Sequence, residues 1–341
     1  MTHIVASSRF AGVERYVSEV VPALAARGYD CAVVGGSPAT WPALPDEIAW
    51  TPAGGLRDAF RGALRGRPAD VLHVHMTAAE AVGVAVAACH RSALVCTRHF
   101  ARSRGSSIGG RIFSGLFNRV VDRQIAISEF VACHLETPPD TIILPGTPEV
   151  DDRYRSDSRL VLYVARLEAE KRPRDALAIW EASGLARFGW RLRLLGEGSM
   201  RRELTELADS LGILESVEFA GWSADIPSHL VESSVLLATA DAEPFGLSVL
   251  EAMAYGIPVV ATASGGHVET LGRVADAALF PAGDVLAGAL ALRSVALDER
   301  RRVELSEAER EEQRKNLSLE THVDRLEDTY QSVVGSLHVA G

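Results

Sequence analysis

The sequence predicts an α/β protein of two doubly wound domains facing a central cleft, and three observations carry that prediction. Short β-rich runs alternate with helix-period segments along most of the chain. The alternation breaks once, at LPGTPEVDDRYRSDS (144–158), where turn formers and charges replace the period, and then restarts. The 341 residues also exceed what one core holds, at about 150 residues per domain. Ligands of such sheets sit beyond the carboxyl ends of the strands.

The first half offers strands at HIVASS, DCAVVGG, DVLHVHM, ALVCTRHF, RQIAIS and TIILPG, with helix patterns over 13–27, 56–65, 78–90 and 129–136. No G-x-G-x-x-G follows the first strand, which argues against a dinucleotide-dependent oxidoreductase. After the break come RLVLYVARL, a helix over 174–182, WRLRLLGEG, a helix over 200–211, VEFAG, a helix over 226–232 and SVLLATA. A helix over 247–255, PVVATAS and AALFPAG complete the second half. The charge-dense run 298–315 reads as a solvated helix face, and 319–334 is periodic again. The expected division is 1–147, 148–318, and a helix in 319–341 packing back toward the N-terminal domain.

Composition is that of an ordinary globular enzyme, with 47% hydrophobic and 23% charged residues. A net charge of −10 argues against nucleic acid as a partner. The four cysteines form no C-x-x-C pair and are expected as buried free thiols in a reducing compartment. No charged n-region with an apolar h-region opens the sequence and no apolar run is long enough to span a bilayer, so a cytoplasmic location is expected.

The densest chemical signal is EPFGLSVLEAMAYGIPVVATASGG, residues 243–266. Pro244 and Gly246 break the preceding strand, so a helix from Leu247 presents amides that lack internal partners. Gly256 suits its C-cap, and Pro258 stops it. At about 100° per residue, Glu251 lies about 40° from Leu247, on the apolar side with Leu250 and Ala254. A carboxylate there needs hydrogen-bond donors, and with Glu243 just before the helix, hydroxyls of one polyhydroxylated ligand would serve both. Arg166 and Lys171 leave a strand at its carboxyl end and could neutralise a diphosphate. His99 ends ALVCTRHF at the edge where cleft residues belong. His73 and His75 share one face of a strand but lack an obvious third metal ligand, and no metal site is expected.

This stretch resembles the donor-binding signature of retaining GT-B glycosyltransferases of family 4: two glutamates with seven residues between them, a Gly-Pro-Val strand and a Gly-Gly loop. AGVERYV, ARLEAEK, LLGEGSM and FAGW are similar to further motifs of the family and arrive in its order. The resemblance implies two Rossmann-like domains, acceptor side first and donor side second. It also implies transfer of a sugar from a nucleotide diphosphate donor, UDP- or GDP-linked, to a glycan, lipid-linked or small-molecule hydroxyl with retention. Of the basic pair it implies diphosphate binding by Arg166 and Lys171; of His99 and Glu243, contact with the sugar. Donor contacts would come from Gly12, Gly196, Gly198, Gly221, Trp222, Phe245, Gly246, Leu247 and, on ribose, Glu251. Many relatives carry two glycines where this sequence has Ala11-Gly12.

No aspartate-rich metal cradle or cofactor motif is visible, so metal independence and no cofactor beyond the co-substrate are expected. The arginine-rich segment 98–123 carries an amphipathic stripe, Ile112, Phe113, Leu116, Phe117 and Val120, that packs on its own domain or meets anionic lipid at the inner face of a membrane. The rival readings are a non-catalytic sugar-nucleotide sensor and a GT-B epimerase or phosphorylase.

Overall fold

The structure is a computed structural model, and it describes all residues except 8–10, 105–113, 116, 152–156 and 341; the side chains of 336–340 also lie outside the description. Two compact units emerge, Met1–Gly146 with Leu319–Gly341, and Thr147–Ser318. The chain thus leaves the first unit once and returns to it.

In the first unit the described strands are β1 (Thr2–Val5), β2 (Ala32–Gly35), β3 (Ala49–Thr51), β4 (Val71–His75), β5 (Ala93–Arg98), β6 (Arg123–Ala126) and β7 (Thr141–Ile142). They form a parallel sheet in the order β3-β2-β1-β4-β5-β6-β7. Every residue of β1, β4 and β5 is buried, as expected of central strands covered on both faces. Register places His3 opposite His73 and His75 opposite Thr97, so three neighbouring strands bring polar side chains together inside the sheet's cover. Helices α1 (Gly12–Ala26), α2 (Leu56–Arg65), α3 (Thr77–His90) and α4 (Glu129–Cys133) supply the connections. The C-terminal helix, Leu319–Ala340, buries Val323, Leu326, Tyr330 and Val333 in the same core as Tyr16, Val17, Val20 and Leu24 of α1.

The second unit alternates strictly: β8 (Leu160–Val164), α5 (Pro173–Ser183), β9 (Arg191–Leu195), α6 (Arg201–Ser210), β10 (Val217–Gly221), α7 (Ile226–Val231), β11 (Val235–Ala238), α8 (Leu247–Ala254), β12 (Val259–Thr262), α9 (His267–Leu271) and β13 (Ala278–Phe280). Helices α10 (Val285–Leu297) and α11 (Glu299–Asn316) follow. The sheet order is β10-β9-β8-β11-β12-β13, all parallel. The direction of strand addition reverses between β8 and β11, which makes their carboxyl ends the switch point of this unit.

Several elements depart from the sequence expectation. β3 is a three-residue edge strand too short to show a period. α10 was unmarked because VLAGALALRSVAL is apolar almost throughout, leaving no polar face to set a phase, and Leu286 and Leu290 are indeed exposed. The run read as a solvated helix face, α11, instead buries Arg302, Leu305, Glu309 and Gln313 along one stripe. Both Glu309 carboxyl oxygens face the Val259 N–H, at 3.2 and 3.1 Å, so a polar stripe holds the first residue of β12. The cysteines are free, but only Cys31 and Cys96 are buried; Cys89 and Cys133 are exposed. Of the stripe in 98–123, Phe117 is buried and Val120 exposed, while Ile112, Phe113 and Leu116 lie outside the described residues.

Candidate active site

The loops after β8 and β11 meet at the switch point of the second unit through the ion pair of Lys171 Nζ donating to Glu243 Oε2 at 2.5 Å, both side chains mostly buried. Lys171 is held by its backbone: its carbonyl accepts from Tyr163 Oη at 2.9 Å and from Thr239 Oγ1 at 3.1 Å. The next residue, Arg172, is left-handed at φ 52° and begins α5 ahead of Pro173. Its guanidinium donates to Asp241 at 2.9 Å and Asp175 at 2.7 Å, a second tie between the two loops. Arg166 lies at the same edge, but its side chain is 63% exposed and paired with Glu170. The basic pair therefore splits into one anchored cation and one solvent-facing one.

Gly196 and Gly198 have a packing reason to be glycine. A Cβ on Gly196, at φ 144°, would sit 2.0 Å from the Ala165 carbonyl oxygen, and one on Gly198 would sit 2.3 Å from that of Leu167. The loop after β9 is thus laid backbone to backbone against the loop after β8. Gly221 follows in β10, its carbonyl accepting from the Gly196 N–H at 2.7 Å, and Trp222 beyond it is 63% exposed.

Around Glu243 the chain is equally tight. The Gly266 N–H donates to the Glu243 carbonyl at 2.7 Å, and a Cβ on Gly266 would lie 2.3 Å from Phe245 Cα. Phe245 is buried, Gly246 caps α8 in the left-handed region, and Leu247 opens the helix. Glu251 is 7% exposed. It is interior as expected, though not because of a stripe: Val249 through Ala254 are buried on every side of this short helix.

His267, at the start of α9, was missed by sequence reasoning, although a polar residue directly after the Gly-Gly loop was the available signal. It is buried, its Nδ1 lies 3.0 Å from Thr262 Oγ1, and its imidazole is held below the usual histidine range by burial. The Glu243 and Lys171 charges act on it in opposite directions. Thr262 gives its hydroxyl proton to the Ala240 carbonyl, so His267 Nδ1 donates to Thr262 and Nε2 carries the lone pair.

In the first unit, Gly12 begins α1, and the carboxylate of buried Glu14 accepts from the Ala11 N–H at 3.0 Å, a negative charge at the helix start. His99 follows β5 directly, is buried, and has its pKa lowered to about 3, chiefly by desolvation. Its Nε2 lies 3.1 Å from His75 Nδ1, and His75 Nε2 lies 3.1 Å from His3 Nδ1. His3, His73 and His75 have ligand nitrogens within 4.8 Å of one another, so His3 supplies the third partner that the sequence left unidentified. Both nitrogens of His73 are already bonded, to Tyr330 Oη at 2.6 Å and Thr97 Oγ1 at 2.7 Å, so a metal there would have to displace a hydrogen bond. Strand order, which no local pattern encodes, is what hid His3.

Two cations of the arginine-rich segment turn inward. Arg104 donates to Glu80 at 2.6 Å and Glu136 at 2.5 Å, and Arg98 lies within 3.2 Å of Glu136; both arginines are buried. Among the described residues no helix is long and apolar enough to cross a membrane.

Two adjoining family descriptions match the chain, "Glycosyltransferase Family 4" over residues 10–146 and "Glycosyl transferases group 1" over 150–312. The chain belongs to the group 1 glycosyltransferases. The 2-deoxystreptamine N-acetyl-D-glucosaminyltransferase of Streptomyces fradiae is 30% identical over 190 residues, 52% of this chain but 45% of that protein. The glycogen synthase of Mycobacterium tuberculosis is 28% identical, with 84% of this chain and 83% of the synthase matched. Among solved structures, Anabaena HepE in complex with UDP and glucose superposes with a TM-score of 0.79 at 18% identity, over 97% of this chain and 99% of HepE. That likeness establishes the GT-B fold. The Lys171–Glu243 pair falls within the group 1 match.

Proposed function

We propose that the protein transfers a sugar from a nucleotide diphosphate sugar, UDP- or GDP-linked, to an acceptor hydroxyl with retention of anomeric configuration. The observation that carries the reading is the mostly buried ion pair of Lys171 with Glu243 across the switch point of the second unit. A diphosphate arriving there competes with Glu243 for the ammonium. Lys171 then holds the charge that develops on the departing phosphate, and the released Glu243 carboxylate accepts hydroxyls of the sugar. Arg166, exposed and held only by a surface pairing of little energetic weight, adds a second cation. Glu251, already withdrawn from water, accepts the ribose hydroxyls.

The bond that breaks joins the anomeric carbon to the phosphate oxygen. The acceptor oxygen attacks from the same face, and its proton passes to the departing phosphate. Lys171 supplies positive charge where a divalent ion would otherwise stand, so the reaction is proposed to be metal-independent. UDP bound to HepE supports a nucleotide donor, and the two relatives named above support sugar transfer as the activity class. The acceptor class spans glycans, lipid-linked and small-molecule hydroxyls.

The test is a thermal-shift panel of UDP, GDP and their sugars, followed by product analysis. A ligand at 100 times its Kd adds about 2.7 kcal/mol of stability. Lys171→Ala and Glu251→Ala should each blunt that response, while Glu243→Ala should reduce transfer more than nucleotide affinity. A product of inverted configuration, or activity lost to a chelator and restored by magnesium, would overturn the corresponding part.

A further inference from the structure

Three buried imidazoles run in line toward the carboxyl end of β5. His3 Nδ1 faces His75 Nε2 at 3.1 Å, and His75 Nδ1 faces His99 Nε2 at 3.1 Å. Burial pushes all three rings well below the usual histidine range, so each is neutral at pH 7 and carries one N–H. Each N···N contact needs one hydrogen, because two would collide and none would oppose two lone pairs.

Those conditions leave two arrangements of the whole row. If His3 donates from Nδ1, then His75 Nε2 accepts, His75 donates from Nδ1, His99 Nε2 accepts, and the last hydrogen sits on His99 Nδ1. If the row is reversed, His99 Nδ1 is bare and the last hydrogen sits on His3 Nε2. The two ends are not equivalent. His3 Nε2 is buried with no hydrogen-bond partner, and a buried N–H without an acceptor is the rarer and costlier orphan. The N-terminal ammonium acts on His3 as a further positive charge, which helps to keep that ring neutral. At the other end, no described residue bonds His99 Nδ1, so either state is tolerated there.

We propose that His3 and His75 are positioning residues that hold His99 as its Nδ1–H tautomer, so that the ring edge of His99 left free by His75 is a hydrogen-bond donor and not a base. On the transferase reading, that edge serves a substrate oxygen as a donor and takes no proton from the acceptor. The tautomer itself does not depend on that reading. Tyr16 leaves the row undisturbed: its hydroxyl donates to His322 Nε2 at 2.8 Å, because His322 Nδ1 is committed to the Leu144 carbonyl at 2.7 Å.

The experiment is long-range ¹H–¹⁵N correlation on the uniformly labelled full chain at pH 7 without ligand, assigned by single histidine replacements. The expected result is Nδ1–H for His3, His75 and His99 alike. An Nε2–H pattern on His75 or His99, or an imidazolium, would overturn the proposal. In His75→Gln, whose amide can donate or accept at either end, His99 should lose its fixed tautomer and its ring shifts should move. Unchanged His99 shifts in a folded His75→Gln protein would also overturn it, and if that variant fails to fold the wild-type spectrum decides alone. Should the tautomers appear as expected while His99→Ala leaves sugar transfer at wild-type rate, the transferase role of His99 fails and the relay stands.

Discussion

Glu309 is a single carboxyl whose surroundings make its protonation a stability matter. Burial raises its pKa well above the carboxylate range, with the Val259 N–H opposing only in part. Unfolded, the group ionises near the ordinary glutamate value, about 4.3. A raised folded value means that the favourable contribution is complete below that pH and is lost as pH rises toward the folded value. Glu309→Gln should therefore flatten the fall in stability between pH 5 and pH 8, as read by denaturant titration at each pH. Equal slopes for variant and wild type would refute it. Glycine 196 makes a second residue-scale case: Gly196→Ala adds a methyl against the Ala165 carbonyl at a left-handed φ, which costs roughly 1–3 kcal/mol from strain alone. The role of such glycines was visible in the sequence only as a resemblance; their steric reason required two loops from different strands. Glu251 was legible as an interior acid from its phase, whereas the direct bond between Lys171 and Glu243 was not, because it joins residues 72 positions apart.

Among the elements, the start of the segment after β5 is tied down at Arg104 by charge pairs that are largely buried. Arg104 bonds Glu80, Glu136, Asn118 and Gln124, and its guanidinium lies 4.2 Å from the centre of the Phe117 ring. Removing one member of such a buried set leaves the others uncompensated, at about 3–5 kcal/mol. Arg104→Ala should lower the unfolding midpoint of the first unit accordingly, and a loss below 1 kcal/mol would contradict this account. Arginines of this segment read from sequence as a basic patch, because charge pairing across α3, β5 and the turn after α4 leaves no local trace. Helix α11 teaches the same lesson from the other side: its charge density suggested solvent, yet Arg302, Glu309 and Gln313 are interior. Strands and most helices were readable because alternation and period are local. Helix α10 escaped because its composition is apolar on both its buried and exposed faces.

For the molecule as a whole, acid should weigh most heavily on the first unit. Five buried histidines, His3, His73, His75, His99 and His322, lie in the first unit with folded pKa values lowered, His322 to about 4. A lowered folded value means that stability is full above about 6.5 and is lost as pH falls, because only the unfolded chain takes the proton. At pH 5 each such group costs about 2 kcal/mol. Calorimetry should show the first unit melting earlier at pH 5 than at pH 7.5, and a first unit indifferent to pH would refute the neutral assignment. Deleting residues 319–341 should be as damaging, since Val323, Leu326, Tyr330 and Val333 each contribute about 1.5–3 kcal/mol of burial to its core. The return of the chain into its first unit also sets an order of events during synthesis. On the ribosome, residues 1–146 emerge without the helix that closes their core, so the second unit completes its structure first, although it is translated later. A released chain ending at Ser318 should then yield a protease-resistant fragment from 147–318 and none from 1–146.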